Sequence, residues 1–134
     1  LGISISIKHA YKHSLYIIIN SLISGLTHKQ ILMLGYAIAL SGKFDYKLSD
    51  EYKNILRKEE ILICKKISII LCLAHKIDKY FYNSLSEVTI INQKDTFKLT
   101  LPKSSVKYMQ DSLPVEMDES FKKCFNKKLS IIPL

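Results

Sequence analysis

Four histidines, twelve acids and three cysteines are the residues of this chain that could do chemistry. His9 and His13 stand four apart, so on a helix they would share a face and could hold zinc. No Asp or Glu lies near them, as an H-E-x-x-H site requires. His75 and Asp78 stand three apart and would meet on a helix, but as a pair alone. A helical metal-dependent phosphohydrolase needs an adjacent His-Asp pair, further histidines and a distant Asp, and the chain has no His-Asp dipeptide. It has no G-x-S-x-G elbow beside Ser14. Gly2, Gly25, Gly35 and Gly42 are scattered and form no phosphate loop. The chain therefore reads as carrying no complete catalytic or metal site.

Anion binding is the chemistry with positive support. Lys8-His9-Ala10-Tyr11-Lys12-His13-Ser14 places several donors at a predicted helix start, where unpaired N–H groups and the helix dipole favour phosphate. Lys43, just past Gly42, falls in a turn able to face the same region. The candidate polyanion-binding residues are Lys12, His13, Ser14 and Lys43. Charge placement agrees. Of the net +8, residues 1–58 carry +5, residues 59–82 carry +1 and residues 83–134 carry +2. A basic first half suits a polyanion: polyphosphate, nucleic acid or an acidic protein surface. The competing reading is a solubilising lysine surface. Arg57 is the sole arginine, so the arginine clusters and aromatic-interleaved strips of nucleic-acid binders are missing.

At 134 residues and 48% hydrophobic, the chain is long enough for a real core. Cys64, Cys72 and Cys124 form no C-x-x-C pair and sit among apolar residues, as reduced core thiols of a cytoplasmic protein would. No apolar run reaches membrane-span length; Ile31–Leu40 falls well short. The chain opens abruptly at Leu1, as the middle of a longer protein would.

The elements that must position these residues are mostly helical. Leu1–Ile7 alternates Ile and Ser and predicts a strand. Ser14–Ile23 predicts a helix with Tyr16, Ile19 and Ile23 on its inner face, ended by Gly25. Thr27 and Gln30 have capping-box spacing, and the helix they begin runs to Gly42. Ser49 predicts an N-cap, with Asp50 and Glu51 in the first turn. A long helix, Glu59 to Tyr82, carries Ile63, Ile67, Ile70, Ala74, Ile77 and Phe81 at spacings of four and three, with Leu62, Ile69 and Leu73 widening the stripe; apolar on several sides, it is expected at the centre of the core. Two strands follow around Thr89 and Phe97–Leu101, joined by Asn92-Gln93-Lys94-Asp95 and ended by Pro102. Residues 103–114 read as loop, Val115–Asn126 as a short helix, and Leu129–Ile132 as a last strand joining the hairpin. The fold class is mainly α: a helical bundle over 1–83 and a small β-hairpin–helix–strand cap over 84–134.

The order of these pieces resembles the C-terminal part of the exopolyphosphatase / guanosine pentaphosphate phosphatase (Ppx/GppA) family. The family run H-D-I-G, H-H-K-H-S, Y-L-I, N-S is similar to Leu1-Gly2-Ile3-Ser4, Ala10-Tyr11-Lys12-His13-Ser14, Leu15-Tyr16-Ile17-Ile18 and Asn20-Ser21. The family's glycine turn and helix start look like Gly25-Leu26-Thr27-His28-Lys29-Gln30. L-R-L-A-D-x-L-D is similar to Leu71-Cys72-Leu73-Ala74-His75-Lys76-Ile77-Asp78, and the tail F-x-x-x-F-x-x-K-L to Phe121–Leu129. The resemblance implies an HD-like helical domain following an actin-like catalytic region that uses Mg. The His-Asp pair would fall before Leu1; Ala10 and Tyr11 replace two histidines and His75 replaces an aspartate. Y-H-R-K-G is reduced to Ala39-Leu40-Ser41-Gly42-Lys43. What carries over is Lys12, His13, Ser14, Lys43 and Asp78. The implied role is non-catalytic: polyphosphate binding and homodimer contacts, with no cofactor in this chain and the actin-like region, in the same or another chain, as partner. The alternatives are a divergent HD-type phosphohydrolase, a small basic nucleic-acid-binding protein, and a remnant without activity.

Overall fold

The structure, a computed structural model, describes residues 1–81 and 88–134. It divides into two compact units, Leu1–Leu71 and Cys72–Leu134. Mainly α with a small three-stranded sheet, it has the architecture that the periodicities predict.

The first unit holds a 3-10 turn at Gly2–Ser4, α1 (Ala10–Ile19), α2 (His28–Gly42), the short α3 (Asp50–Lys53) and the first half of α4 (Lys58–Phe81). Leu1–Ile7 is not a strand. Ser4 N–H donates to Leu1 O at 3.0 Å and Ile5 N–H to Gly2 O at 3.2 Å. An alternating segment becomes a strand only when a neighbour pairs with it, and the sheet of this chain is built from residues 89–133. The turn is instead pinned to α1: Gly2 N–H donates to Ser14 Oγ at 2.9 Å. A Cβ on Gly2 would sit 1.8 Å from Ala10 O, so only glycine fits there.

α1 begins four residues earlier than expected and buries Ser14, Leu15 and Ile18, leaving Tyr16 65% exposed. The inner face is set by α2, which crosses close at Gly35: a Cβ there would lie 2.8 Å from Leu15 Cδ1. The far end of α2 meets the start of α1, because a Cβ on Gly42 would lie 2.9 Å from Tyr11 Cβ. The two helices therefore run antiparallel. α2 starts with the full capping box: Thr27 Oγ1 accepts from Gln30 N–H at 3.3 Å and Gln30 Oε1 accepts from Thr27 N–H at 2.8 Å. Ser49 stands at the N-cap of α3, but its side chain makes no capping bond.

The core of this unit gathers Leu32, Tyr36, Ala37 and Leu40 of α2 with Leu56 and Cys64. Of α4, Cys64 enters this cluster, and only part of the helix's expected stripe, Ile69 and Leu73, is buried. Cys64, Ser68, Ile69, Cys72 and Leu73 are buried, whereas Ile63, Ile67 and Ile70 are exposed. The small Cys64 side chain meets the α2 backbone: its Sγ donates to Met33 O at 3.4 Å. The expected helix end at Tyr82 and the expected boundary at 83–84 lie outside the described residues.

In the second unit β1 (Thr89–Asn92) and β2 (Thr96–Leu101) form the antiparallel hairpin, Thr89 opposite Thr100 and Asn92 opposite Phe97. β3 (Lys128–Pro133) lies parallel to β2, Thr96 opposite Lys128. Parallel neighbours need a crossover. It is made by α5 (Lys103–Ser112) and α6 (Met117–Phe125). Residues 103–114 are thus mostly helix rather than loop. One buried residue, Met109, anchors α5, too narrow a stripe to show against so polar a segment. Phe121 of α6 packs 5.5 Å from Phe97 and 4.7 Å from Phe125 between ring centres, beside buried Leu99, Leu101 and Met117. Asn126 ends α6 at φ 55, a left-handed conformation asparagine tolerates.

Candidate functional site

The Tyr11–Gly42 contact brings together the start of α1 and the end of α2. Lys12 and Lys43 are each one residue from that contact, and both are exposed. Lys12 N–H and His13 N–H both donate to His9 O, at 2.8 and 3.3 Å, so the first turn of α1 closes tightly over His9. His9 is the N-cap and sits at φ 58, left-handed and strained for a histidine. Its ring is steadied by Tyr11, whose Oη lies 3.3 Å from His9 Nδ1 and whose ring meets it edge-on at 5.9 Å.

Tyr11 in turn meets Tyr46 edge-on at 5.6 Å, and Tyr46 lies 6.4 Å from Tyr36. Tyr36 Oη donates to Tyr46 O at 3.4 Å. Burial raises the Tyr36 hydroxyl above its ordinary pKa, with Cys64 and Tyr46 adding to it; burial, then Tyr11, raises that of Tyr46. Both therefore stay neutral donors near pH 7. Lys43 caps the end of α2, its N–H donating to Ala39 O at 3.0 Å, and a turn returns Tyr46 N–H to Lys43 O at 3.0 Å. Its ammonium lies 3.6 Å from Asp45.

Of the expected residues, Lys12 and Lys43 are thus gathered at one end of the helix pair. His13 is half-buried on α1. Ser14 is buried, and its Oγ accepts the Gly2 N–H. That bond gives it the work of bracing the 3-10 turn against α1. Tyr11 had counted only as a missing histidine. Its part as the pivot among His9, Gly42 and Tyr46 has no local signal, because its partners are up to 35 residues away.

Ala10 and Tyr11 replace two imidazoles, and His9 is engaged by Tyr11. Among the described residues no three of His, Cys, Asp and Glu are grouped as metal ligands. Cys64, Cys72 and Cys124 are all buried. Burial pushes the Cys64 thiol up to about 11 and also raises Cys72, so neither is a thiolate near pH 7. Among the described residues no helix is long and apolar enough to cross a membrane.

The family model described as Ppx/GppA phosphatase, domain III, matches residues 1–117. The chain belongs to the Ppx/GppA family. The match covers the whole first unit and extends through the hairpin and α5 of the second, as far as the first residue of α6. It makes this chain a domain of an exopolyphosphatase-like protein. A search of curated proteins finds no match.

Proposed function

We propose that this domain III is a non-catalytic support for polyphosphate, holding the chain for a Mg-dependent actin-like region that hydrolyses the phosphoanhydride bonds, and that it contributes homodimer contacts. The carrying observation is the junction of α1 and α2, where Tyr11 packs on Gly42 and sets Lys12 and Lys43 on one end of the helix pair. Exposed Lys8 and Lys47 extend the positive surface on either flank in sequence. Tyr11 and His9 hold the start of α1 in place, Ser14 braces the turn beneath it, and half-buried His13 stands one turn in. Several cations acting together on a flexible polyanion bind it without a shaped pocket. Localisation in the cytoplasm goes with this reading, since Cys64 and Cys72 are free, buried thiols.

The test is titration of the chain with long-chain polyphosphate at low and high salt. Saturable binding that weakens steeply with salt is expected. Replacing Lys12 and Lys43 together by Gln should weaken it about five- to thirtyfold at low salt, on the order of 0.5–1 kcal/mol per exposed pair. No saturable binding at low salt would sink the proposal. RNA that outcompetes polyphosphate, or phosphate release with stoichiometric Mn, Fe or Zn, would replace it with the nucleic-acid or the HD-hydrolase alternative.

A further inference from the structure

His9 stands among the cations proposed to hold polyphosphate, and imidazole is the side chain whose charge changes near neutral pH. Its backbone sits at φ 58 at the N-cap of α1. Its carbonyl accepts from Lys12 N–H at 2.8 Å and from His13 N–H at 3.3 Å. The ring is exposed. Tyr11 holds one edge of it, with Oη 3.3 Å from Nδ1 and the two rings edge-on at 5.9 Å. Nε2 is bonded to no other side chain among the described residues.

Tyr11 suits both charge states of the ring. A phenol hydroxyl donates to a neutral Nδ1 or accepts from a protonated Nδ1–H. Protonation therefore keeps the contact and turns Nε2–H into a cationic donor. Lysines supply the surrounding charge. Lys8 precedes His9, and Lys12 follows it on the first turn of α1. Tyr11 packs on Gly42, next to Lys43 at the end of α2. In the loop beyond, Lys47 is exposed and Tyr46 meets Tyr11 edge-on at 5.6 Å. Tyr36 of α2 joins through Tyr46 at 6.4 Å. The Gly2–Ser4 turn packed on α1 has no titratable side chain. Half-buried His13 is the second imidazole. Residues 1–49 hold one acid, Asp45, and it lies 3.6 Å from Lys43. The His9 ring thus has no carboxylate partner among the described residues. A phosphate chain laid across Lys12 and Lys43 would supply the missing anion, and an anion beside an imidazole favours its charged form.

We infer that polyphosphate binding is proton-linked through His9. A proton from solvent joins the ring as the polyanion binds, and Nε2–H then gives a phosphate oxygen a charge-assisted hydrogen bond. The linkage rests on the reading of Lys12 and Lys43 as the polyanion surface, and it makes that surface bind more tightly as pH falls. The internal phosphates of a long polyphosphate stay ionised in this range. Its terminal phosphates lose charge as pH falls, which acts in the opposite direction, so the sign separates the protein's proton from the ligand's.

Calorimetric titration of the full chain with long-chain polyphosphate at low salt, at about pH 6 and about pH 8, tests the linkage. Binding about two- to fivefold tighter at the lower pH is expected, the range of one exposed ion pair. Heats measured near neutral pH in two buffers of different ionisation enthalpy should show net proton uptake. His9→Asn should bind with the weaker, high-pH affinity at both values and take up no proton. Asparagine tolerates φ 58, and an unchanged circular dichroism spectrum verifies the fold. His13→Gln should keep the pH dependence, whatever its affinity. Wild-type binding indifferent to pH overturns the inference, as does a pH dependence that survives His9→Asn or vanishes in His13→Gln. Absence of saturable binding at both pH values overturns the linkage together with the polyanion reading, whereas pH-indifferent binding overturns the linkage alone.

Discussion

α2 and α4 are neighbours in the first unit, yet they answer to different rules. α2 has its start written by Thr27 and Gln30, its stop by Gly42, and its buried face by Leu32, Tyr36 and Leu40. α4 has a clear length but is apolar on more than one side; Cys64, Ser68 and Ile69 are buried while Ile63, Ile67 and Ile70 are exposed. A cap is a local hydrogen-bonding problem that four residues solve. Choosing between two apolar sides is decided by what packs there, as where Cys64 meets Met33 O.

The sharpest way to break this comparison is to truncate side chains along both helices. Leu40→Ala on α2 and Ile69→Ala on α4, each 1% exposed in the wild type, should each cost about 2–5 kcal/mol in urea unfolding. Ile67→Ala and Ile70→Ala should stay within about 0.5–1 kcal/mol. Equal losses at Ile67 and Ile69 would mean that α4 buries the face expected from its isoleucines.

Capping comes next in size. Thr27→Ala removes a complete capping box and should cost about 1 kcal/mol. Ser49→Ala should cost clearly less, because the Ser49 side chain makes no capping bond. Thermal melts of the pair separate a cap that bonds from one that merely occupies the position.

The smallest effect joins the starts of the two helices. Lys29 on α2 lies 2.7 Å from Glu60 on α4. The Lys29 hydrogen bond, then that from the Arg57 N–H, hold the Glu60 carboxyl below its ordinary pKa. A depressed carboxylate stabilises the fold above its unfolded pKa, and that contribution fades as pH falls through the folded value. Lys29→Met should therefore lower the urea midpoint slightly near pH 7 and leave it unchanged well below about pH 4.5, so that the loss of stability toward acid pH is flatter. An unaltered acid limb would show that the exposed pair contributes nothing.

The legible part of the fold follows the same division. The hairpin register was marked by Phe97, Leu99 and Leu101 against polar neighbours and by a four-residue turn. The last strand was marked by Leu129–Ile132. α5 was hidden because Met109 alone anchors it. Leu1–Ile7 misled because alternation signals a strand only where a partner strand exists. At the candidate site, lysines at a helix start and after Gly42 were visible as charge. Their meeting was not, because it depends on Tyr11 fitting against Gly42, 31 residues away.

By itself the sequence determined the class, the Thr27 capping box, the hairpin, the basic first half and the domain's family, since each is carried by residue type or short spacing. Only the tertiary structure decided which face of α4 is inside, that Ser14 braces Gly2, and that Lys12 and Lys43 share one end of the α1–α2 pair. Those are questions of close approach between segments far apart in sequence. They turn on glycines and small side chains, whose effect is the space they leave.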